Sequence, residues 1–159
     1  SLVKHWGDEK GMAYFKKLGG QDLHVRSGHS LLTVLTVAKE LPITISAYNH
    51  RVEQFKTEGA PIEWIPLDPV VAIPSGVAVP LKARHPASGT LFADFLLSKD
   101  GQEVLKSLKR VPAHLEVPAN PPRLNSGFNY IPLFTESADD YEKWESIYKE
   151  LIVSKGRAK

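Results

Sequence analysis

The sequence predicts an α/β fold, and three observations carry the prediction. Amphipathic helical stretches are interleaved with short β-branched runs along its 159 residues. Two of those runs, Val70-Val71-Ala72-Ile73 and Gly76-Val77-Ala78-Val79, are almost wholly apolar, as strands covered on both faces are. Polar clusters fall at the ends of elements, beside chain reversals, where open α/β sheets place their ligand crevice.

Residues 8–18 read as an amphipathic helix. Asp8 and Glu9 suit its N-terminus, Met12, Phe15 and Leu18 share a face, and Gly19-Gly20 stops it. Leu23-His24-Val25 is a short strand. A second helix opens at Arg26, Ser27, Gly28 and His29. Leu31, Leu32, Val34, Leu35, Val37 and Ala38 make it apolar on most sides, which predicts that it is sandwiched. Pro42 then leads into a β-branched strand, Ile43-Thr44-Ile45, ending at Ser46-Ala47-Tyr48-Asn49. A third helix follows, with Val52 and Phe55 inward, with Arg51, Glu53, Lys56 and Glu58 outward, and with Gly59 as its C′ residue.

Residues 60–69 are proline-rich and extended, and lead to the two apolar strands. Pro86, at the first helical position, begins a fourth helix in which Leu91, Phe92, Phe95 and Leu96 recur at helical spacing. Residues 98–101 are a break before a fifth helix over 102–108, with Val104, Leu105 and Leu108 inward. Residues 111–132 dissolve into Pro, Asn, Gly and Ser, a long connector. A last helix is capped by Ser137 with Asp140 at its third position, and carries Tyr141, Trp144, Ile147, Tyr148 and Leu151 on one side. That aromatic face needs a partner.

Composition narrows the function. Hydrophobic content of 42% and charged content of 24% are those of a globular protein with a core. A formal net charge of +2 is too small to argue for nucleic acid. No apolar run is long enough for a membrane helix, and no signal peptide is visible. The opening on Ser1 rather than Met predicts a processed or truncated chain. Cysteine is absent, which removes disulfide and thiolate chemistry.

Two polar clusters are the candidate site. In Arg26, Ser27, Gly28, His29 and Ser30, free backbone N–H groups at a helix start and Ser hydroxyls can hold a carboxylate, phosphate or carbonate. The plainer reading is capping of the helix by Ser27 or Gly28. Tyr48 and Asn49 form the second cluster, where the phenol can donate to or stack on a solute, or simply cap its own helix. His24, His29, His50, His85 and His114 show no paired i, i+4 spacing, which argues against a zinc site. A hydrolase would need a base placed beside a nucleophile, and no Gly-x-Ser-x-Gly elbow is present. Trp64 near Asp68 can line a pocket, but an extended crossing segment looks the same.

A resemblance adds to this reading. His85-Pro86 followed by Phe92, Asp94 and Phe95 carries one part of it. Leu97-Ser98 with Gly101-Gln102, and Gly59-Ala60-Pro61 with Trp64 and Leu67-Asp68-Pro69, carry two more. Val111-Pro112-Ala113, Pro121-Pro122 and the acidic-aromatic stretch over 139–148 fit as well. Together these resemble the extracellular solute-binding proteins of bacterial ABC transporters, of the type II periplasmic-binding-protein class that includes ferric-ion receptors. The resemblance implies one lobe of that fold, a mixed sheet flanked by helices, over 1–110. It implies that 111–159 is a connector and helical return segment that packs on an N-terminal lobe missing from this chain. The implied protein is not an enzyme and needs no cofactor. It captures iron or a small anionic solute between two lobes, in the periplasm or outside the cell, and hands it to an ABC permease. The iron-binding members carry two adjacent tyrosines where this chain has Tyr48 and Asn49, so Tyr48 would be a metal ligand only for a ferric solute. Self-association through the last helix is a further expectation. The alternative is a small α/β enzyme acting on a phosphorylated or carboxylated metabolite.

Overall fold

Seven α-helices carry most of the ordered chain among the described residues of the computed structural model. Residues 1–133 and 138–158 are described, with side chains at all of these but 138, 139, 157 and 158. Helices α1 (Leu2–Trp6) and α2 (Asp8–Gly19) meet at Gly7, whose φ of 83° turns the chain between them. They pack through Gly11, where an added Cβ would lie 2.6 Å from the Val3 Cα. Asp8 and Glu9 sit in the first turn of α2 and Lys16 and Lys17 in its last, each complementing the helix dipole.

Gly19 does more than end α2. The carbonyl of Leu151 passes 1.9 Å from where its Cβ would be, so only glycine fits. Leu151 belongs to a π-helical turn, Lys149–Val153, that continues α7 (Ala138–Tyr148). Leu151 and Ile152 are buried against the end of α2, whereas Tyr141 and Tyr148 remain exposed. The chain terminus is fastened again by β4 (Arg157–Ala158), which pairs in parallel with β1 (His24–Val25). Ser137, the expected cap of α7, lies outside the described residues.

Helix α3 (His29–Val37) corrects an expectation. It is not sandwiched: Thr33 is fully buried, but Leu31 and Val34 are close to half exposed. The run 43–45 is not a strand, and Ile43 is 81% exposed. Thr44 instead ties this run to α3, with its hydroxyl 2.5 Å from the Thr36 hydroxyl. The run 76–79 forms no strand either. Strand propensity describes a fit to a neighbouring strand, and neither run has one. β2 (Val70–Ala72) does form, because β3 (Tyr130–Pro132) comes out of the connector to pair with it in parallel, Val70 opposite Tyr130. The expected mixed sheet is therefore two separate two-stranded parallel pairs among the described residues, and the α/β chain is mostly helical.

Helix α4 (Asn49–Thr57) ends as predicted. Gly59, at φ 86°, donates to the Lys56 carbonyl at 3.0 Å and Ala60 to the Phe55 carbonyl at 2.9 Å, the paired bonds of a Schellman stop. The connector packs onto α4 and supplies Val117, Ala119 and Leu124 to the buried apolar set that includes Val52. Helix α5 (Pro86–Leu97) starts at Pro86, as expected. Its apolar side chains do not turn inward: Leu91 is 71% and Phe92 59% exposed, and no residue of the helix is buried. Helix α6 (Lys99–Ser107) begins earlier than predicted, because the Ser98 hydroxyl accepts the Gly101 N–H and caps it. Gln102, buried, then donates to the Leu96 carbonyl and accepts from the Ala113 N–H, both at 2.6 Å.

Candidate functional site

Two helix starts lie side by side. Gly28 is the N-cap of α3 at φ 94°, and Tyr48 is the N-cap of α4 in an extended conformation. The Tyr48 ring lies 4.6 Å from the His29 ring and 5.3 Å from the His50 ring, nearly parallel to the latter at 23°. Neither helix start has a side-chain cap, so first-turn N–H groups of both point out with the positive ends of two helix dipoles. His29 Nδ1 lies 2.6 Å from the Ser46 carbonyl oxygen, and Ser46 holds φ 69°.

His50 is only 8% exposed. Burial, and then the charges of Arg110 and Arg51, lower its pKa from 6.5 to about 4. Arg51 is held over the Phe55 ring at 5.0 Å and donates to Gln54.

Of the residues singled out in the sequence, His29 and Tyr48 are brought into contact, with Gly28 and Ser30 at the same helix start. Gly28 has open space around an added Cβ, so its φ alone demands glycine. Ser27 and Ser30 are exposed, and Ser27 does not cap α3. Arg26 donates to the adjacent Val25 carbonyl at 2.9 Å. Asn49 has a structural task, since its amide donates to the Leu124 carbonyl at 2.9 Å and fastens the connector to α4. His85 is the N-cap of α5, without a side-chain cap bond, and His114 accepts from the Glu116 N–H at 3.2 Å. Among the described residues no three His, Asp or Glu side chains gather as a metal site.

The sequence reading missed Glu53. Placed outward by helical spacing, it is 6% exposed. One carboxylate oxygen accepts from Trp64 Nε1 and from Arg123 Nε, each at 2.7 Å. Arg123 also pairs with Glu63 and stacks on the Trp64 ring at 4.8 Å. Hydrogen bonds from Arg123, Lys56 and the Trp64 backbone hold the Glu63 carboxyl down to about 2. The signal available was Trp64: an indole N–H that packs inward needs an acceptor, and Glu53 supplies it. Here Trp64 is a packing residue that locks the extended segment onto α4.

Two open depressions lie elsewhere. One, of about 430 Å³, is bounded by Trp6, Asp8 and Lys10, and the other, of about 440 Å³, by Leu97, Gln102 and His114. Neither includes Tyr48 or Gly28. The chain matches no known protein family, curated protein or solved structure, and the family resemblance rests on its motifs alone.

Proposed function

We propose that this chain is part of the solute-binding component of an ABC importer, a non-enzymatic protein that takes up a small anionic solute. The observation that carries the reading is the pairing of two uncapped helix starts with His29 and Tyr48 in contact between them. Such an arrangement holds charge with N–H groups and a phenol, and the Ser46 hydroxyl, 3.5 Å from His29 Nδ1, faces a nitrogen already engaged by the Ser46 carbonyl at 2.6 Å. In this reading 1–110 is one lobe of a type II periplasmic-binding-protein fold. Tyr48 and the 26–30 turn are one jaw of its cleft, and solute touching both jaws shifts the open–closed population. Asn49 stands where a second phenolate would be and its amide is engaged with Leu124, which favours an anion over ferric iron. The return segment would meet the first lobe through the exposed Tyr141 and Tyr148, or self-associate through them, and the permease would dock on the closed form in the periplasm.

A one-sided surface contributes only part of a receptor's affinity. Isothermal calorimetry on the chain is expected to give solute binding no tighter than about millimolar. Micromolar binding by the chain alone, or turnover of a carboxylated or phosphorylated metabolite, would overturn the two-jaw reading.

A further inference from the structure

Helix α5 is covered along one stripe. Gly89, Ala93 and Leu96, spaced i, i+4 and i+7, are its partly covered residues, and every other residue of the helix is exposed. Behind that stripe the packing is close. An added Cβ at Gly89 would lie 3.1 Å from Val79 Cγ1, and one at Gly101, in the first turn of α6, 2.0 Å from the Phe95 carbonyl oxygen. Gln102 ties the Leu96 carbonyl to the Ala113 N–H. These contacts fix the rotation of α5 about its axis.

The open side carries Leu91, Phe92 and Phe95, which are 71%, 59% and 44% exposed. Their spacing of i, i+1 and i+4 makes them one face. Asp94, the one ionisable residue of α5, stands at its edge. A helix this apolar has the composition of one covered on more than one side.

Two features select a second copy of the chain as the cover. The first is area. The three side chains expose on the order of 400 Å². Pairing two copies removes on the order of 800 Å² from them alone, and about 1,000 Å² with the exposed Ser88 and the flanking turns, the lower bound of a specific interface. The second is self-complementarity. A twofold axis sets a surface against itself, so a charged face meets its own charge, and an uncharged apolar face does not. The exposed Tyr141 and Tyr148 of α7, by contrast, stand among Glu142, Lys143, Glu145 and Lys149.

We propose that α5 is a self-association surface, through which two copies of this chain form a weak twofold dimer on Leu91, Phe92 and Phe95. The proposal does not depend on the solute-binding reading.

Sedimentation velocity on the whole chain, from about 1 μM to about 1 mM, tests it. A monomer–dimer equilibrium with a Kd on the order of 10–100 μM is expected for an interface of this area. Phe92→Ser removes the central ring and is expected to weaken the dimer at least about tenfold, with the circular dichroism of the monomer unchanged. Leu91→Lys sets two like charges across the axis and is expected to do the same. Tyr141→Ser is expected to leave the Kd unchanged. A chain that stays monomeric at about 1 mM would overturn the proposal. So would a dimer that survives both α5 substitutions, a dimer lost with Tyr141→Ser, or assembly that runs on past two copies.

Discussion

One helix, α4, carries two polar clusters that differ in how completely they are satisfied. Along its flank Glu53 accepts from Trp64 and Arg123, Arg123 also pairs with Glu63, and Glu63 with Lys56. At its start the Tyr48 ring contacts those of His29 and His50, and His50 has no hydrogen-bond partner among the described residues. Both clusters combine aromatic rings, imidazole or guanidinium groups and burial. Only the second leaves polar capacity unused. A saturated network of this kind fastens segments together.

The first test is of the saturated cluster. Glu53→Ala leaves the Trp64 N–H without an acceptor and takes the buried partner from Arg123. A loss of about 1–3 kcal/mol in urea unfolding is expected, chiefly from the unpaired Trp64 N–H, because Arg123 is partly exposed and keeps Glu63. Tyr48→Phe, at the open cluster, is expected to change stability by less than about 1 kcal/mol. Equal effects from the two substitutions would erase the contrast between the clusters.

The second test separates the clusters by pH. His50 is held neutral in the folded state, with its pKa depressed from 6.5 to about 4. Between those values the unfolded chain binds more protons, so stability rises with pH. The contribution is complete above pH 6.5 and is lost as pH falls to about 4, by on the order of 3 kcal/mol. Glu63 behaves in a lower window: its carboxyl is depressed from 4.5 to about 2, so its contribution is lost only as pH falls through that range. Chemical denaturation across pH is expected to show the upper step disappear in His50→Asn and the lower one persist. A stability profile of His50→Asn that still drops between pH 6.5 and 4 would reassign that step.

A backbone substitution sharpens the view of the turn itself. Gly28 holds φ 94° with no atom near an added Cβ. Gly28→Ala is therefore expected to cost about 1–2 kcal/mol of left-handed backbone strain and nothing for crowding. Thermal melting reads the cost, and a neutral substitution would mean that the turn adopts another conformation.

Helix signals in this chain are local, and they were legible. The acidic first turn of α2, Pro86 at the start of α5 and Gly59 at the end of α4 each act within a few residues of themselves. They needed no distant partner to be read. The placement of His29 and Tyr48 at helix starts was legible for the same reason. Strands were not. Ile43-Thr44-Ile45 and Val77-Ala78-Val79 have the right residues and no neighbour, while Tyr130-Ile131-Pro132, inside a proline-rich connector, became a strand because β2 lay beside it.

By itself the sequence determined several helix starts and stops, though not α1 or the start of α6, because capping and backbone preference are settled within one or two turns. Only the tertiary structure decided that Glu53 turns inward, that Asn49 serves the connector and that His29 meets Ser46 and Tyr48. Each of these depends on a partner between 11 and 75 residues away that local spacing cannot name.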